Sequence, residues 1–179
     1  MTYRIISTFD GSTETCSLSE LSQQLKLNYI LCELGADGTL IDSCPLDHRA
    51  LVTFAVEFAD YALKHYSKQK IPESEACIAL IRKWLKNSYA VSAEELRVAT
   101  AASNAAAYAV ATRTAAYAAD AATRAGAATL TAAYAVDVAR RAAKAAGKSR
   151  EAEYVRQGGF IVEYLRAAAA TLSTDSVAA

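Results

Sequence analysis

The sequence predicts a mainly α-helical protein, an alanine-rich helical bundle behind a small N-terminal α+β element. Between Ala99 and Ala146, 25 of 48 positions are alanine and none is proline. Alanine is the strongest helix former because it loses no side-chain entropy on folding. From Leu51 onward apolar residues recur at helical spacing, whereas the first 45 residues carry strand and turn signals. An alanine face lets helix axes approach the short end of the usual range of about 8–10 Å, which favours close packing over a ligand cavity.

Tyr3-Arg4-Ile5-Ile6-Ser7-Thr8-Phe9 reads as a strand and Asp10-Gly11 as a hairpin turn, with Thr13–Cys16 as the returning strand. Ser17-Leu18-Ser19-Glu20 fits a capping box that opens a short helix with Leu18, Leu21 and Leu25 on one face. Tyr29–Leu34 fits a strand or a helical turn. Gly35-Ala36-Asp37-Gly38 is a turn, and Thr39-Leu40-Ile41 can pair back. Residues 1–45 thus form a small α+β lead-in, and residues 46–170 form the bundle.

Leu51, Phe54, Ala55, Phe58, Ala62 and His65 follow the series of an amphipathic helix of about five turns. Pro72 suits the first turn of the next helix. There Cys77, Ile78, Ile81, Trp84 and Leu85 make the apolar stripe, with Arg82, Lys83 and Lys86 pointing outward. Ser92-Ala93-Glu94-Glu95 is a second capping box and starts the alanine-rich part. A continuous helix over 93–146 would reach about 80 Å at 1.5 Å per residue, too long for a compact domain of this size. A break is expected near Ala118-Ala119-Asp120, where Asp120 can cap, and Gly147 is a natural stop. The last helix runs from Arg150 to about Ala169 with Tyr154, Gly158, Ile161 and Leu165 on one face. Residues 171–179 form a frayed tail.

Nineteen basic residues balance nineteen acidic ones, and the isoelectric point is near 6.7. That balance argues against nucleic-acid or anionic-membrane binding driven by net charge. Cys16, Cys32, Cys44 and Cys77 follow no metal or disulfide spacing and read as unreactive thiols. The N-terminus has no signal-peptide pattern, and no apolar run reaches the ~20 residues of a membrane span. A soluble, cytoplasmic protein is expected.

Candidate chemistry is sparse. Cys44, Asp47 and His48 lie close in sequence, but neighbours flanking a proline and a helix start rarely face one another, and Asp47 serves equally as a helix-start acid. Cys32, Cys44 and His48 lack a fourth zinc ligand. No catalytic residue, metal or cofactor is expected. The threonines of the alanine region keep no regular spacing that would suit ice binding, and no basic recognition helix follows Leu18–Leu25.

The most distinctive polar set lies on the alanine helices. Arg113, Tyr117, Asp120 and Arg124 are spaced to share one helix face if the helix continues through them, and Asp137, Arg140, Arg141 and Lys144 do the same on the following segment. One reading is a solvated face of weak ion pairs. The other is a partner-binding face of Arg113, Tyr117, Asp120, Arg124, Arg140 and Arg141, since Arg and Tyr dominate interface energetics.

A family resemblance enters with the helix Phe58-Ala59-Asp60-Tyr61-Ala62-Leu63-Lys64-His65-Tyr66. A short polar loop, Ala79-Leu80-Ile81-Arg82-Lys83-Trp84-Leu85 and a capping box before an alanine-rich helix complete the pattern. It resembles the all-helical, alanine-rich fifth immunity family of bacterial polymorphic toxin systems, and related proteins of tailed phages. Arg82, Trp84 and Arg124-Ala125-Gly126 match that family's positions. The resemblance spans about residues 46–168, omits the first 45, and rests mainly on the Arg-x-Trp helix. It implies a non-enzymatic binding protein that neutralises a protein partner, a toxin or a host defence factor. The alternatives are a structural or assembly protein of a phage or bacterium, and an oligomeric sponge for a signalling nucleotide held by Arg113, Arg124, Arg140 or Arg141. Self-association, as a dimer through the alanine-rich helices, is also expected, with Gly126, Gly158 and Gly159 marking the closest approach.

Overall fold

The structure is a computed structural model that describes residues 2–24, 28–66, 70–109 and 149–177. Among these residues the chain combines five helices with a four-stranded antiparallel sheet, a mixed α+β fold in which helix predominates. It divides into two compact units. The first comprises Met1–Asp47 and Tyr154–Ala179, the second His48–Glu153.

In the first unit, β1 (Thr2–Ser7) turns through Thr8–Ser12, around the Asp-Gly signal, into β2 (Thr13–Cys16). The strand expected to reach Phe9 ends at Ser7, because the Ser7 N–H and carbonyl close the turn on Ser12 and Gly11. The single turn α1 (Leu18–Leu21) leads to β3 (Tyr29–Leu34) and β4 (Leu40–Leu46), giving the strand order β2-β1-β3-β4. The segment compatible with strand or helix, Tyr29–Leu34, is therefore a central strand. It is buried at four consecutive positions, from Leu31 to Leu34, because both of its neighbours pair with it and both of its faces are shielded. The sheet edges are blunted. β2 is short and mostly exposed, and Pro45, which has no N–H to donate, is an exposed residue of the edge strand β4. The helical pattern expected from residue 46 accordingly begins two residues later, at His48.

The capping box at Ser17 forms: the Glu20 carboxylate accepts from the Ser17 N–H at 2.9 Å and from its hydroxyl at 2.8 Å. Leu21 is fully buried, and Leu25 lies outside the described residues. The final helix, labelled α5, runs Arg150–Val177, longer than the expected end at Ala169, so the segment expected to fray is helical as far as Val177. Its buried stripe of Gly158, Ile161, Val162 and Leu165 agrees with the sequence pattern, while Tyr154 is half-buried. From Tyr154 onward this helix belongs with the sheet rather than with the alanine-rich helices. Gly158 shows how tightly: a Cβ there would fall on the Leu18 carbonyl oxygen of α1. The close approach expected between copies at Gly158 is thus used inside the chain, whereas Gly159 faces open space.

In the second unit, α2 (His48–Tyr66) is buried around most of its circumference. Leu51, Phe54, Ala55, Phe58 and Ala62 form the expected stripe, and Val52, Val56, Ala59 and Leu63 are buried beside it. A helix apolar on nearly every side is a central helix. His65 departs from the stripe. It is exposed and lies against Tyr61, with ring centroids 4.1 Å apart.

Helix α3 (Pro72–Lys86) starts with proline in its first turn and buries Ser74, Cys77, Ile78 and Ile81. A 3-10 turn at Ser88–Ala90 and a second capping box lead into α4 (Ala93–Ala109). In that box the Glu95 N–H donates to the Ser92 hydroxyl at 3.2 Å, and the Glu95 carboxylate accepts from the Ser92 N–H at 2.7 Å. Helices α3 and α4 meet through Ser74 and Ser103, whose hydroxyls are buried and 2.8 Å apart. The expected break near Asp120, Gly126 and the stop at Gly147 lie outside the described residues. No described helix is long and apolar enough to cross a membrane.

Candidate functional site: a lysine-rimmed groove between two helices

Helices α2 and α3 pack side by side, and the seam between them opens into a groove of about 570 Å³. Helical spacing builds it. Asp60, Leu63 and Lys64 fall on one face of α2, and Glu75, Ile78, Ala79, Arg82, Lys83 and Lys86 on one face of α3. Leu63 and Ile78, both largely buried, form an apolar floor, and the exposed Lys64, Lys83 and Lys86 rim it.

Arg82 spans the seam. Its guanidinium donates to Glu57 from Nε at 3.1 Å and from a terminal nitrogen at 2.7 Å, and that nitrogen also donates to Asp60 at 3.0 Å. Asp60 additionally accepts from Lys64 Nζ at 2.6 Å. Burial acts to raise the Asp60 pKa, but the hydrogen bonds from Lys64 and Arg82 outweigh it and hold the carboxyl below its ordinary range. Arg82 therefore does not point outward as the helical wheel suggests. Its planar fork folds back onto two carboxylates of α2, one turn apart on that helix, and ties the two helices together. Lys83 and Lys86 do lie at the surface. The groove lining holds four cations against two carboxylates. Just beyond it, Glu57 shares Arg82 with Asp60, and Glu95 lies within electrostatic reach of Lys83.

Trp84, two residues on, meets His48 edge-on at 5.9 Å. This contact anchors the start of α2 to the end of α3. The Arg-x-Trp pattern thus fixes α3 on α2 from two directions, and the lysines between and beyond these anchors are held in place on the rim.

A second polar cluster lies in the first unit. Tyr3, Glu33 and Asp42 stand in register across β1, β3 and β4. Glu33 is fully buried and accepts two hydrogen bonds from Arg166 of α5, at 3.0 and 2.6 Å. Burial, then the Glu33 charge, raise the Tyr3 pKa. The arrangement neutralises a buried carboxylate and joins residues 133 apart in sequence, which is a structural role.

The four thiols lie in the core. All four are free and buried. Burial, with weaker help from neighbouring carboxylates, lifts the Cys16 pKa to about 11. Cys44 is also raised to about 11, by burial first and then by Cys32 and Asp47. Cys44 is consequently a protonated core thiol. Among the described residues no cluster of His, Cys, Asp and Glu could hold a metal ion.

The residues expected to bind a partner, Arg113, Tyr117, Asp120, Arg124, Arg140 and Arg141, all lie outside the described residues. The groove was not singled out in the sequence, although its signal was there. Glu75, Ala79, Arg82 and Lys86 recur at three- and four-residue steps next to the apolar stripe, with Lys83 beside Arg82. What was missing was the partner strip on α2. No family model, no curated protein and no solved structure matches this chain.

Proposed function

We propose that this protein acts in the cytoplasm as a binding protein that neutralises a protein partner, as a toxin-immunity protein or a phage counter-defence protein does. The observation that carries the reading is the α2–α3 groove, an apolar floor inside a rim of lysines, which suits an acidic, partly apolar segment of another protein. The Arg82 and Trp84 anchors support it, because a docking surface gains affinity when its walls are set before the partner arrives. The resemblance of the same helix to the alanine-rich immunity family points in the same direction.

The test is affinity capture with the full-length chain and with a Lys83→Glu/Lys86→Glu variant. The unmodified chain should retain one stoichiometric protein. The variant should lose it by at least about tenfold, since reversing rim charges turns attraction into repulsion. Failure of the unmodified chain to retain any stoichiometric protein would overturn the reading.

A further inference from the structure

The turn between β1 and β2 presents Phe9 with 97% of its surface in solvent. The backbone holds it there. The Ser7 N–H donates to the Ser12 carbonyl at 2.9 Å, and the Gly11 N–H to the Ser7 carbonyl at 3.1 Å. Gly11 takes a φ of 72°, a conformation open to glycine, so the turn closes without strain. Thr8 donates its N–H and its hydroxyl to the Asn28 carbonyl, at 3.0 and 2.7 Å, which braces the tip from outside the hairpin. Asp10 accepts from the Ser12 N–H at 3.0 Å, and that bond, with those from the Ser7 and Ser12 side chains, lowers its pKa to about 2. The tip is therefore an ordered apolar knob with a permanent negative charge beside it.

The α2–α3 groove offers Leu63 and Ile78 on its floor, and on its rim Lys83 and Lys86 beside Glu75, with Lys64 held by Asp60. Its volume of about 570 Å³ is ample for one phenyl ring and the turn that carries it. We propose that the hairpin tip of one copy seats in the α2–α3 groove of a second copy, with Phe9 against Leu63 and Ile78 and Asp10 beside Lys83 and Lys86. This inference rests on the groove being a docking surface, and it names the occupant in the free protein. Reciprocal exchange of tip and groove makes an isologous two-fold dimer, whereas one-way exchange is heterologous and extends a chain. An incoming partner with an acidic, apolar segment then competes with the hairpin for the groove.

The experiment is light scattering coupled to size exclusion, on the full chain, at micromolar to hundred-micromolar concentration. The unmodified protein should show a mass at or above twice 19.0 kDa. Phe9→Ala should raise the dissociation constant by at least about tenfold, as expected for a central aromatic anchor, and should leave the circular dichroism spectrum unchanged. Lys83→Glu/Lys86→Glu should do the same. The decisive measurement mixes these two variants, because one retains the groove and the other retains the tip. Mixing should give a one-to-one pair that carries one intact tip–groove contact and is tighter than either variant's self-association, because losses confined to one contact are not additive. The proposal is overturned by a mass of 19.0 kDa for the unmodified protein throughout the range, by undiminished assembly of Phe9→Ala, or by two defective variants that fail to complement. These readouts involve no other protein, so a failure here is distinct from a failure of affinity capture.

Discussion

The two compact units solve the same problem, holding helices against their neighbours, by different means. In the first, α5 meets α1 where a glycine leaves room for a carbonyl, and it meets β3 through one charge pair between Glu33 and Arg166. In the second, α2 presents apolar surface on nearly every side, and its polar contacts with α3 sit at the rim and remain partly solvated. The first unit adds its two position-specific contacts between distant segments to an apolar core of Ile5, Leu21, Leu31, Leu46, Ile161 and Leu165. The other spreads its stability over a continuous apolar surface made by neighbouring segments. A contact that brings distant segments together must offset a larger loop-closure cost, and it does so at points where no other residue fits.

Removing core volume from the second unit should give the largest effect. Phe58→Ala deletes a fully buried ring and should cost roughly 3–5 kcal/mol, measured by urea unfolding. A loss below about 1 kcal/mol would mean that the core of α2 collapses easily around a void. The first unit should respond instead to added volume. Gly158→Ala should cost about 1–3 kcal/mol through the clash with the Leu18 carbonyl. Gly159→Ala, one residue on and in open space, should stabilise by about 0.5–1 kcal/mol through helix propensity. Equal responses at the two glycines would remove the case for close α1–α5 packing.

The buried serine pair gives a finer measurement. Ser74→Ala or Ser103→Ala alone strands the other hydroxyl and should cost about 1–2 kcal/mol, whereas the double change should cost less than the sum. Additive losses would show that the hydroxyls do not bond to each other.

The smallest effect is that of acid on the Arg82 network. The Asp60 pKa is lowered in the folded chain, so its contribution is complete above the ordinary value of 3.8 and is lost as the pH falls below it towards the folded value. An Asp60→Asn variant should therefore show a flatter stability profile below pH 3.8, measured by thermal unfolding across an acid series. A profile that keeps the same slope would exclude Asp60 as a contributor.

Much of this was legible in the sequence wherever the signal is local. The Asp-Gly turn, both capping boxes, the Pro72 helix start and the stripes of α2, α3 and α5 depend on residues within a few positions of one another. The β-strand at Tyr29–Leu34 was ambiguous because a short apolar run carries no period. Its identity came from pairing with β1 and β4. The bundle expected from residue 46 begins at His48, because the edge position in which the missing N–H of Pro45 costs nothing is defined only by the finished sheet.

The sequence by itself determined the local elements, since propensity, capping and periodicity act within a turn or two of chain. It did not determine which elements would be neighbours. That α5 returns to the sheet, that Gly158 is reserved for the Leu18 carbonyl, and that Arg166 answers Glu33 were decided by tertiary structure alone. So was the groove. Lys83 and Lys86 read as ordinary solvated residues on α3, and they become a rim only when the Asp60–Lys64 strip of α2 lies beside them. The physical reason is the same in each case. A site assembled from two segments depends on packing between surfaces, and the spacing along either segment records only its own half.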